Sequence, residues 1–372
     1  MKLTGKNIII TSNEPWGDTW YSKQNYAWEL AKRGNRVFFI DPPESFHING
    51  ITDGSVSAKK ITDQLTVLKY FNALPVRSAA LYRENDRIVS GRIRKYLAGE
   101  GISDYILWSF DPYRLSDAQK LGASFSVFHS VDQYNFIPKG ERQLVTEAGL
   151  VIAVAEPIAA QYRSLNPHLI VVEHAISGEE FSDEIPEPVK NEMPAGNCGI
   201  YVGNIDARLD FQLVEKTVVA FPETHFVFIG NVLSLPDDAA QRLFGEKKYR
   251  NLHVFGSRPF KQLRQYISAT GFCLAPMNRD HPGNTIAHHK ILQYLALGKA
   301  VFSCRFSAYE KEHGLLYMHD DHAAFLESLG SFLASGEDPS AGSRRINYAK
   351  GFTFDVQLNK TEEALRQFYP EL

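Results

Sequence analysis

Residues His288–Cys304 read HHKILQYLALGKAVFSC, and this stretch decides the fold class of the 372-residue chain. Its first part, His288–Leu297, has the apolar spacing of an amphipathic helix, and Gly298 follows where helices commonly end. The apolar run Ala300–Ser303 comes directly after the glycine and is typical of a buried strand. A similar run, Gly271–Ala275, precedes the helix. Strand, helix and strand in this order indicate a parallel sheet covered by helices.

The same alternation continues through the rest of the chain in two blocks. The first begins with a strand at Asn7–Thr11 and a helix at Ser22–Arg33, and the second begins with a strand at Cys198–Val202 and a helix at Phe211–Phe221. Between the blocks, residues 179–197 are rich in acidic residues and proline and show little periodicity, which is typical of a linker. We therefore expect an α/β protein with two Rossmann-like domains that face a central cleft.

The expected domain boundaries follow from these blocks and from the length, which exceeds what one ordinary core needs. An N-terminal domain spans 1–178, a linker spans 179–197, and a C-terminal domain spans 198–350. A last helix, within 351–372, is expected to return to the N-terminal domain.

Composition excludes several classes of protein. The formal net charge is -3, whereas general nucleic-acid binders usually carry a basic excess. Three widely separated cysteines, Cys198, Cys273 and Cys304, have no zinc-type spacing and fit a reducing cytoplasm. The first apolar run is too short for a signal peptide or a membrane-spanning helix. We expect a soluble cytoplasmic protein.

Glycines and cations follow the strand ends of the second block. Gly203 and Arg208 follow the first strand of this block, and Gly230 follows the second. Arg258 follows the strand Leu252–Phe255. A helix N-terminus after a glycine turn can bind an anion, and a guanidinium suits phosphate oxygens. An ordinary β–α turn with a solvated arginine is the alternative for each.

Three histidines, His281, His288 and His289, surround the start of the helix that opened this section. No convincing third or fourth ligand accompanies them, so we expect no metal and no cofactor beyond a substrate. Contacts of these histidines with a donor or an acceptor are expected instead.

Four segments resemble motifs of glycosyltransferases with the GT-B fold, in the family-4-like group of bacterial surface-polysaccharide enzymes of the teichuronic-acid type. They are HHKILQYLALGKAVFS, WGDTWYSKQNYAWELAKRGNRVFFIDPP, SVFHSVDQY and YVGNIDARLDFQLVEKTVVAFPETHFVFIGNV. The resemblance implies that the C-terminal half binds a nucleotide-sugar, with UDP favoured, and that the N-terminal half binds a glycan or lipid-linked acceptor. The donor is expected to contact Gly203, Asn204, Arg208, Gly230, Arg258, Met277, Asn284, Thr285, His289, Lys290 and Gln293.

Within this set the resemblance implies that Arg208 and Lys290 hold the diphosphate and that position 293 faces the ribose. Glutamate is usual there in the group, whereas this chain has Gln293, which offers one acceptor oxygen and a donor amide. His174 is a second departure, because related chains often have asparagine at that position.

The acceptor is expected at the loop after the first strand and at a later strand end. Trp16, Gly17, Trp20 and Tyr21 are candidates for acceptor binding, and Asp18 is a further candidate for the chemistry. Aromatic rings stack on sugars, but the tryptophans also fit a role as core plugs. In SVFHSVDQY, Asp132 is the better candidate for a general base of an inverting reaction, with His129 beside it. In a retaining reaction the departing phosphate takes the proton and both residues only orient substrates. A turn or cap role is the alternative for Asp132.

The apolar spacing predicts a helix over Asp86–Ala98. A basic segment that overlaps it, Arg77–Lys95, carries interleaved apolar residues and suits contact with anionic lipid. A solvated helix face is the other interpretation. Two alternatives to a transferase remain open at this point: a nucleotide-sugar epimerase, and a relative that binds a nucleotide or glycan without turnover, for which Gln293 is the main support.

Overall fold

The computed structural model describes residues 1–43, 54–233, 235, 238–245, 248–281, 284, 286 and 288–371. The chain divides into two units, of which the first is Met1–Glu173 with Asp355–Leu372 and the second is His174–Phe354. Each unit has its own sheet and its own buried core. We describe each by itself.

The described residues of the first unit form an eight-stranded sheet in the order β3-β4-β2-β1-β5-β6-β7-β8. Neighbouring strands pair in parallel except β3, which is antiparallel to β4. The strands are β1 (Asn7–Thr11), β2 (Arg36–Ile40), β3 (Ser57–Lys60), β4 (Leu65–Lys69), β5 (Ile106–Ser109), β6 (Phe125–Ser130), β7 (Leu150–Ala153) and β8 (Leu169–Val171).

The helices of this unit up to β8 are α1 (Ser22–Lys32), α2 (Ala79–Gly99), α3 (Ala118–Leu121), α4 (Glu141–Glu147) and α5 (Glu156–Tyr162). Helix α1 ends beside Gly34, whose φ of 82° suits the residue after a helix. Helix α2 starts earlier than the hydrophobic pattern indicates, because the Ser78 side chain accepts a hydrogen bond from the Leu81 N–H and caps it.

The second unit has a parallel six-stranded sheet among its described residues, in the order β11-β10-β9-β12-β13-β14. Its strands are β9 (Cys198–Val202), β10 (His225–Ile229), β11 (Leu252–Gly256), β12 (Phe272–Ala275), β13 (Ala300–Cys304) and β14 (Tyr317–His319). Its helices are α6 (Glu187–Glu192), α7 (Phe211–Ala220), α8 (Asp238–Gly245), α9 (Phe260–Ser268), α10 (His289–Ala296), α11 (His322–Ser335) and α12 (Ala341–Lys350). The strand–helix–strand pattern of 271–303 thus forms β12, α10 and β13, as the sequence predicts.

Residues 179–197, expected as a linker, group with the second unit and are partly regular. A 3-10 turn spans Gly178–Phe181, and Ser177 and Glu180 cap it reciprocally. Helix α6 follows, with Val189 buried. The division of the chain comes earlier than 178, between Glu173 and His174.

The last helix, α13 (Phe354–Phe368), groups almost entirely with the first unit. Arg33 contacts Asp355 at 2.9 Å, and the Leu3 N–H donates to Glu362 at 2.9 Å. Leu358 and Leu365 are buried, so this helix is part of the first core. Of the helices in the described part of the chain, none has the length and apolar character needed to cross a membrane.

Candidate functional site

Two glycine loops meet backbone to backbone at the carboxyl edge of the second sheet. Gly203 follows β9 and Gly230 follows β10, with φ angles of 143° and 156°. A Cβ on Gly230 would lie 2.0 Å from the Gly203 carbonyl oxygen, so a larger residue does not fit. The Gly203 N–H donates to the Ile229 carbonyl at 2.9 Å and holds the loops together. The result is a side-chain-free surface at the edge where α/β proteins bind ligands.

Lys290, in the first turn of α10, places its ammonium against this glycine surface. Its Nζ donates to the Tyr201 hydroxyl at 2.9 Å and lies 4.0 Å from the centre of that ring. A Cβ on Gly203 would lie 2.5 Å from the same Nζ. Burial, followed by the charge of Arg208, lowers the pKa of Lys290 to about 7, whereas the charge of Asp206 opposes the change.

Arg208 extends the cationic character of this edge. Its Nη2 and Nε donate to the Asp206 carboxylate at 2.8 and 2.9 Å. Burial acts to raise the pKa of Asp206, but the hydrogen bonds from Arg208 hold it below its usual value. Arg208, Lys290 and Asp206 thus form a group of two cations and one carboxylate. When Lys290 is protonated, the group carries a net positive charge that suits an anion.

Asn284 fixes the loop that precedes α10. Its side-chain amide donates to the carbonyls of Arg208 and Asn278 at 2.9 and 2.8 Å, and the residue is buried. This amide therefore ties the loop after β12 to the loop after β9. Thr285, expected to touch the donor, lies outside the described residues.

Gln293 lies one turn after Lys290 and pairs with a carboxylate. Its Nε2 donates to Glu180 Oε2 at 2.6 Å, and the two side chains are nearly inaccessible, with residue exposures of 4% and 6%. The Ser177 N–H donates to the other Glu180 oxygen at 3.4 Å. Glu180 was missed in the sequence, although Ser177 and Glu180 have the spacing of a capping box. A carboxylate therefore stands beside position 293 after all, but it comes from the 3-10 turn.

The two histidines at the start of α10 bind backbone carbonyls. His288 donates from Nε2 to the Asn284 carbonyl and His289 donates to the Ala175 carbonyl, each at 2.9 Å. Burial, followed by the charge of Lys290, lowers the pKa of His288 to about 3. Burial also lowers the pKa of His289. Among the described residues there is no group of three His, Cys, Asp or Glu side chains placed to hold a metal. The absence of a metal requirement stays a prediction.

Three further donor candidates have packing contacts. Met277 is buried and pairs with Leu209 through an isolated bridge. Arg258 binds Glu192 of α6, the Tyr266 hydroxyl at 3.1 Å and the Phe255 carbonyl at 2.6 Å. These bonds attach α6 to the strand end after β11. The carbonyl of Asn204 accepts the Tyr201 hydroxyl at 3.0 Å, which places that residue beside Lys290.

In the first unit, the loop after β1 is organised by its tryptophans. Trp16 lies with ring centres 5.2 Å from both Trp20 and Phe39, and the Trp20 indole N–H donates to the Gly17 carbonyl at 2.9 Å. Asp18, Gly17 and Tyr21 are exposed, whereas Trp16 and Trp20 are half-buried. These contacts fit the role of core plugs, and acceptor binding by the tryptophans stays a prediction.

The two candidates in β6 and after it are in different surroundings. His129 is buried, accepts the Trp108 indole N–H at Nδ1 at 3.4 Å and stacks on Phe110. Burial, followed by the charge of Lys23, lowers the pKa of His129 to about 3. Contact between His129 and a substrate would require these rings to move. Asp132 is exposed, and only this residue of the pair remains a candidate base.

One buried ion pair was missed in the sequence. Lys23, in the first turn of α1, contacts Glu14 at 2.6 Å, and its side chain is 3% exposed. It anchors the aromatic loop to the helix that follows. The sequence drew attention only to the aromatic and acidic residues of this loop. A buried lysine was not expected, because a lysine near a helix start is ordinarily solvated.

Comparison with known proteins supports the fold. No family model matches the chain. TuaH of Bacillus subtilis strain 168, provisionally named a teichuronic acid biosynthesis glycosyltransferase, is 23% identical over 186 residues, 48% of this chain and 46% of that protein. The match therefore spans about half the length of either protein.

Solved structures match almost the whole chain. The UDP-forming alpha,alpha-trehalose-phosphate synthase of Burkholderia vietnamiensis has a TM-score of 0.70 at 12% identity, covering 98% of this chain and 99% of that one. A trehalose-6-phosphate structure from E. coli with bound UDP-2-fluoro glucose has a TM-score of 0.69 at 12% identity, covering 97% and 99%. The lipopolysaccharide outer core galactosyltransferase WaaB has a TM-score of 0.60 at 14% identity, covering 97% and 99%. The chain has the GT-B fold of two parallel-sheet units, which confirms the fold prediction.

Proposed function

We propose that this protein is a glycosyltransferase that moves a sugar from a nucleotide-sugar to a glycan or lipid-linked acceptor in the synthesis of bacterial surface polysaccharide. The observation that carries the proposal is the ammonium of Lys290 held against the bare backbone of Gly203, whose loop packs on Gly230. A diphosphate needs such a surface, because its oxygens can approach both the cation and the peptide groups closely.

The surroundings of Lys290 support a diphosphate over a neutral ligand. Desolvation of Lys290 is unfavourable for its charge, and a bound anion would relieve that cost. The E. coli structure with bound UDP-2-fluoro glucose and the UDP-forming synthase share this fold, which favours UDP as the donor nucleotide. TuaH supports a role in surface polysaccharide through its name alone.

The acceptor side of the proposal depends on the first unit. Asp132 is the candidate base that would take the proton of the acceptor hydroxyl in an inverting reaction. In a retaining reaction the departing diphosphate would take that proton, and Asp132 would orient the acceptor. Trp16 and Asp18, on the loop after β1, are the proposed acceptor contacts.

We place the reaction in the cytoplasm and at the inner face of the membrane. The three cysteines are buried and unpaired, which fits a reducing compartment. Arg83, Arg87 and Arg94 are exposed along one face of α2, where Arg87 pairs with Glu84. Such a face would attract anionic headgroups at low ionic strength.

An epimerase and a relative without turnover are the competing functions. The pair of Glu180 and Gln293 bears on the second of these. A glutamine at 293 removes a carboxylate from α10, but Glu180 supplies one at 2.6 Å from the Gln293 amide. The glutamine is therefore no argument by itself for loss of activity.

The decisive experiment is a thermal-shift panel of UDP, GDP, ADP, CMP and TDP. A nucleotide at about 100 times its Kd stabilises the bound unit by about 2.7 kcal/mol, which corresponds to a shift of about 5 °C. Lys290→Met should abolish the shift, whereas Lys350→Met, which removes an exposed lysine from the same unit, should leave it intact. A panel without any shift would reject the donor site.

Release of nucleoside diphosphate from UDP-sugars then separates the competing functions. A transferase should release UDP slowly with water and faster with an acceptor extract. An epimerase should convert the sugar without net UDP release, and a relative without turnover should bind UDP but release none from the UDP-sugar.

A further inference from the structure

A cavity of about 300 Å³ lies in the first unit. Its walls come from the segment after β4, the first turns of α2, the segment after β5 and residues 137–139 after β6. Three of these four segments follow strand carboxyl ends, where open α/β sheets bind ligands. Its volume is at the lower end of the range for small-molecule sites.

The floor of the cavity is polar and held in place. Asp86 is 7% exposed, and its Oδ2 accepts the Leu115 N–H at 2.8 Å. Asn85 Oδ1 accepts the N–H groups of Ala73 and Leu74 at 2.8 and 3.0 Å, which fixes the segment after β4. An ionised carboxylate offers about four acceptor positions, of which the Leu115 N–H uses one. Such a carboxylate can accept hydrogen bonds from ligand hydroxyls.

The rim of the cavity is apolar and unusually exposed. Val76, Tyr113 and Ile137 all line it, and their exposures are 41%, 45% and 81%. Single exposed apolar residues are ordinary, but three on the rim of one cavity form a patch. The two residues before Ile137, Asn135 and Phe136, have φ angles of 56° and 60°. Left-handed backbone is tolerated by asparagine but unfavourable for phenylalanine, and strained backbone of this kind is often found at ligand sites.

The cavity adjoins the candidate base. Tyr113 forms part of its wall, and burial raises the pKa of Tyr113, followed by the charges of Asp111 and Asp132. The ring centre of Tyr113 lies 6.2 Å from that of Tyr134, two residues after Asp132, so the cavity wall contacts the segment that carries the candidate base. Arg114, which also lines the cavity, donates to the Ser12 carbonyl at 3.1 Å and so connects the cavity to the loop after β1.

We propose that this cavity binds the acceptor, and that the acceptor is a sugar with an apolar aglycone. The hydroxyls of the sugar would bind the carboxylate of Asp86 between the rings of Tyr82 and Tyr113, and the aglycone would cover Ile137. The proposal rests on the proposed function, because it assigns the acceptor of that reaction. It selects the lipid-linked acceptor over a purely polar glycan.

The test measures binding of matched glycosides to the full chain by saturation-transfer NMR and calorimetry. The probes are methyl and n-octyl β-glycosides of glucose, galactose and N-acetylglucosamine, used below the critical micelle concentration. Burial of an apolar side chain such as that of Ile137 predicts an octyl form that binds about 10-fold or more tightly than the methyl form. Ile137→Ser should remove most of that difference.

Two further variants distinguish the contribution of the polar floor to glycoside binding from that of the apolar rim. Asp86→Asn keeps the size and an oxygen acceptor for Leu115, and it should weaken both glycoside forms equally. Val219→Ser, at an exposed apolar residue of the second unit that is 58% accessible, should change neither. If Asp86→Asn fails to fold, the Ile137→Ser comparison alone decides.

The proposal is overturned if no glycoside of the panel binds, or if Ile137→Ser leaves the preference for the octyl form unchanged. UDP binding is measured in the same samples. Intact UDP binding without glycoside binding overturns the acceptor cavity alone. Glycoside binding that depends on Ile137 without any UDP binding overturns the proposed function but retains the cavity as a glycoside site.

Discussion

Donor binding should depend on pH through Lys290, and UDP-glucose is the suitable probe because its doubly esterified diphosphate does not titrate near neutrality. The free protein holds this lysine with a pKa of about 7. A diphosphate binds the protonated form, so affinity should fall as the pH rises above 7. The protonated fraction of such a group falls from about 0.76 at pH 6.5 to about 0.03 at pH 8.5, a loss of about 25-fold in affinity.

Isothermal titration calorimetry measures both the affinity for UDP-glucose and the proton uptake that accompanies binding. At pH 8.5 the binding of UDP-glucose should take up close to one proton, which is read from the heats in two buffers of different ionisation enthalpy. Lys290→Arg keeps the charge at all these pH values and should show neither the proton uptake nor the fall in affinity. A wild-type affinity that is constant between pH 6.5 and 8.5 would refute the assignment of Lys290 to the donor diphosphate.

Three further outcomes are expected. Gly230→Ala should destabilise the second unit by about 1–3 kcal/mol more than Gly256→Ala, because both have positive φ but only the first adds a backbone collision; equal melting temperatures would contradict this. The pKa of His129 is lowered to about 3, below its unfolded value of about 6.5, so its contribution to stability is present above pH 6.5 and is lost by up to about 1.4 kcal/mol per pH unit as the pH falls. His129→Gln should remove that part of the acid sensitivity in urea unfolding, and an unchanged slope would refute the burial argument. Gln293→Glu should lower the melting temperature at pH 7.5 by placing two carboxylates at one contact, and adding Glu180→Gln should restore it; failure of the double variant to recover would show that the pair is not the cause.

Much of the second unit could be predicted from local pattern. The apolar periodicity predicted the strand Cys198–Val202. Together with the glycine that ends the helix, it also predicted the order of β12, α10 and β13. These features depend on contacts within a few residues, so the sequence contains them directly. The short edge strands β3 and β14 were missed. The residues of β3, SAKK, are exposed and have no apolar pattern typical of a strand. This segment is a strand because it pairs with β4.

Helix α2, which lines the acceptor cavity, shows that apolar periodicity alone does not predict where a helix begins. The pattern indicated a helix from Asp86, whereas α2 begins at Ala79 because Ser78 caps it. This earlier turn brings Tyr82 to the wall of the cavity. The cavity itself needs segments that are up to 67 residues apart in sequence, Asn72 and Lys139, and no local pattern contains that proximity.

The sequence by itself determined the two blocks of alternating strands and helices, the glycines at the strand ends and the lysine of α10, since each follows from spacing or from residue type. Only the tertiary structure decided which groups are charged and which are accessible. It buried His129 among aromatic rings, lowered the pKa of Lys290 by desolvation, and placed Glu180 beside Gln293. Burial and distance depend on how remote segments pack, and those quantities set the protonation and the partners of every candidate side chain.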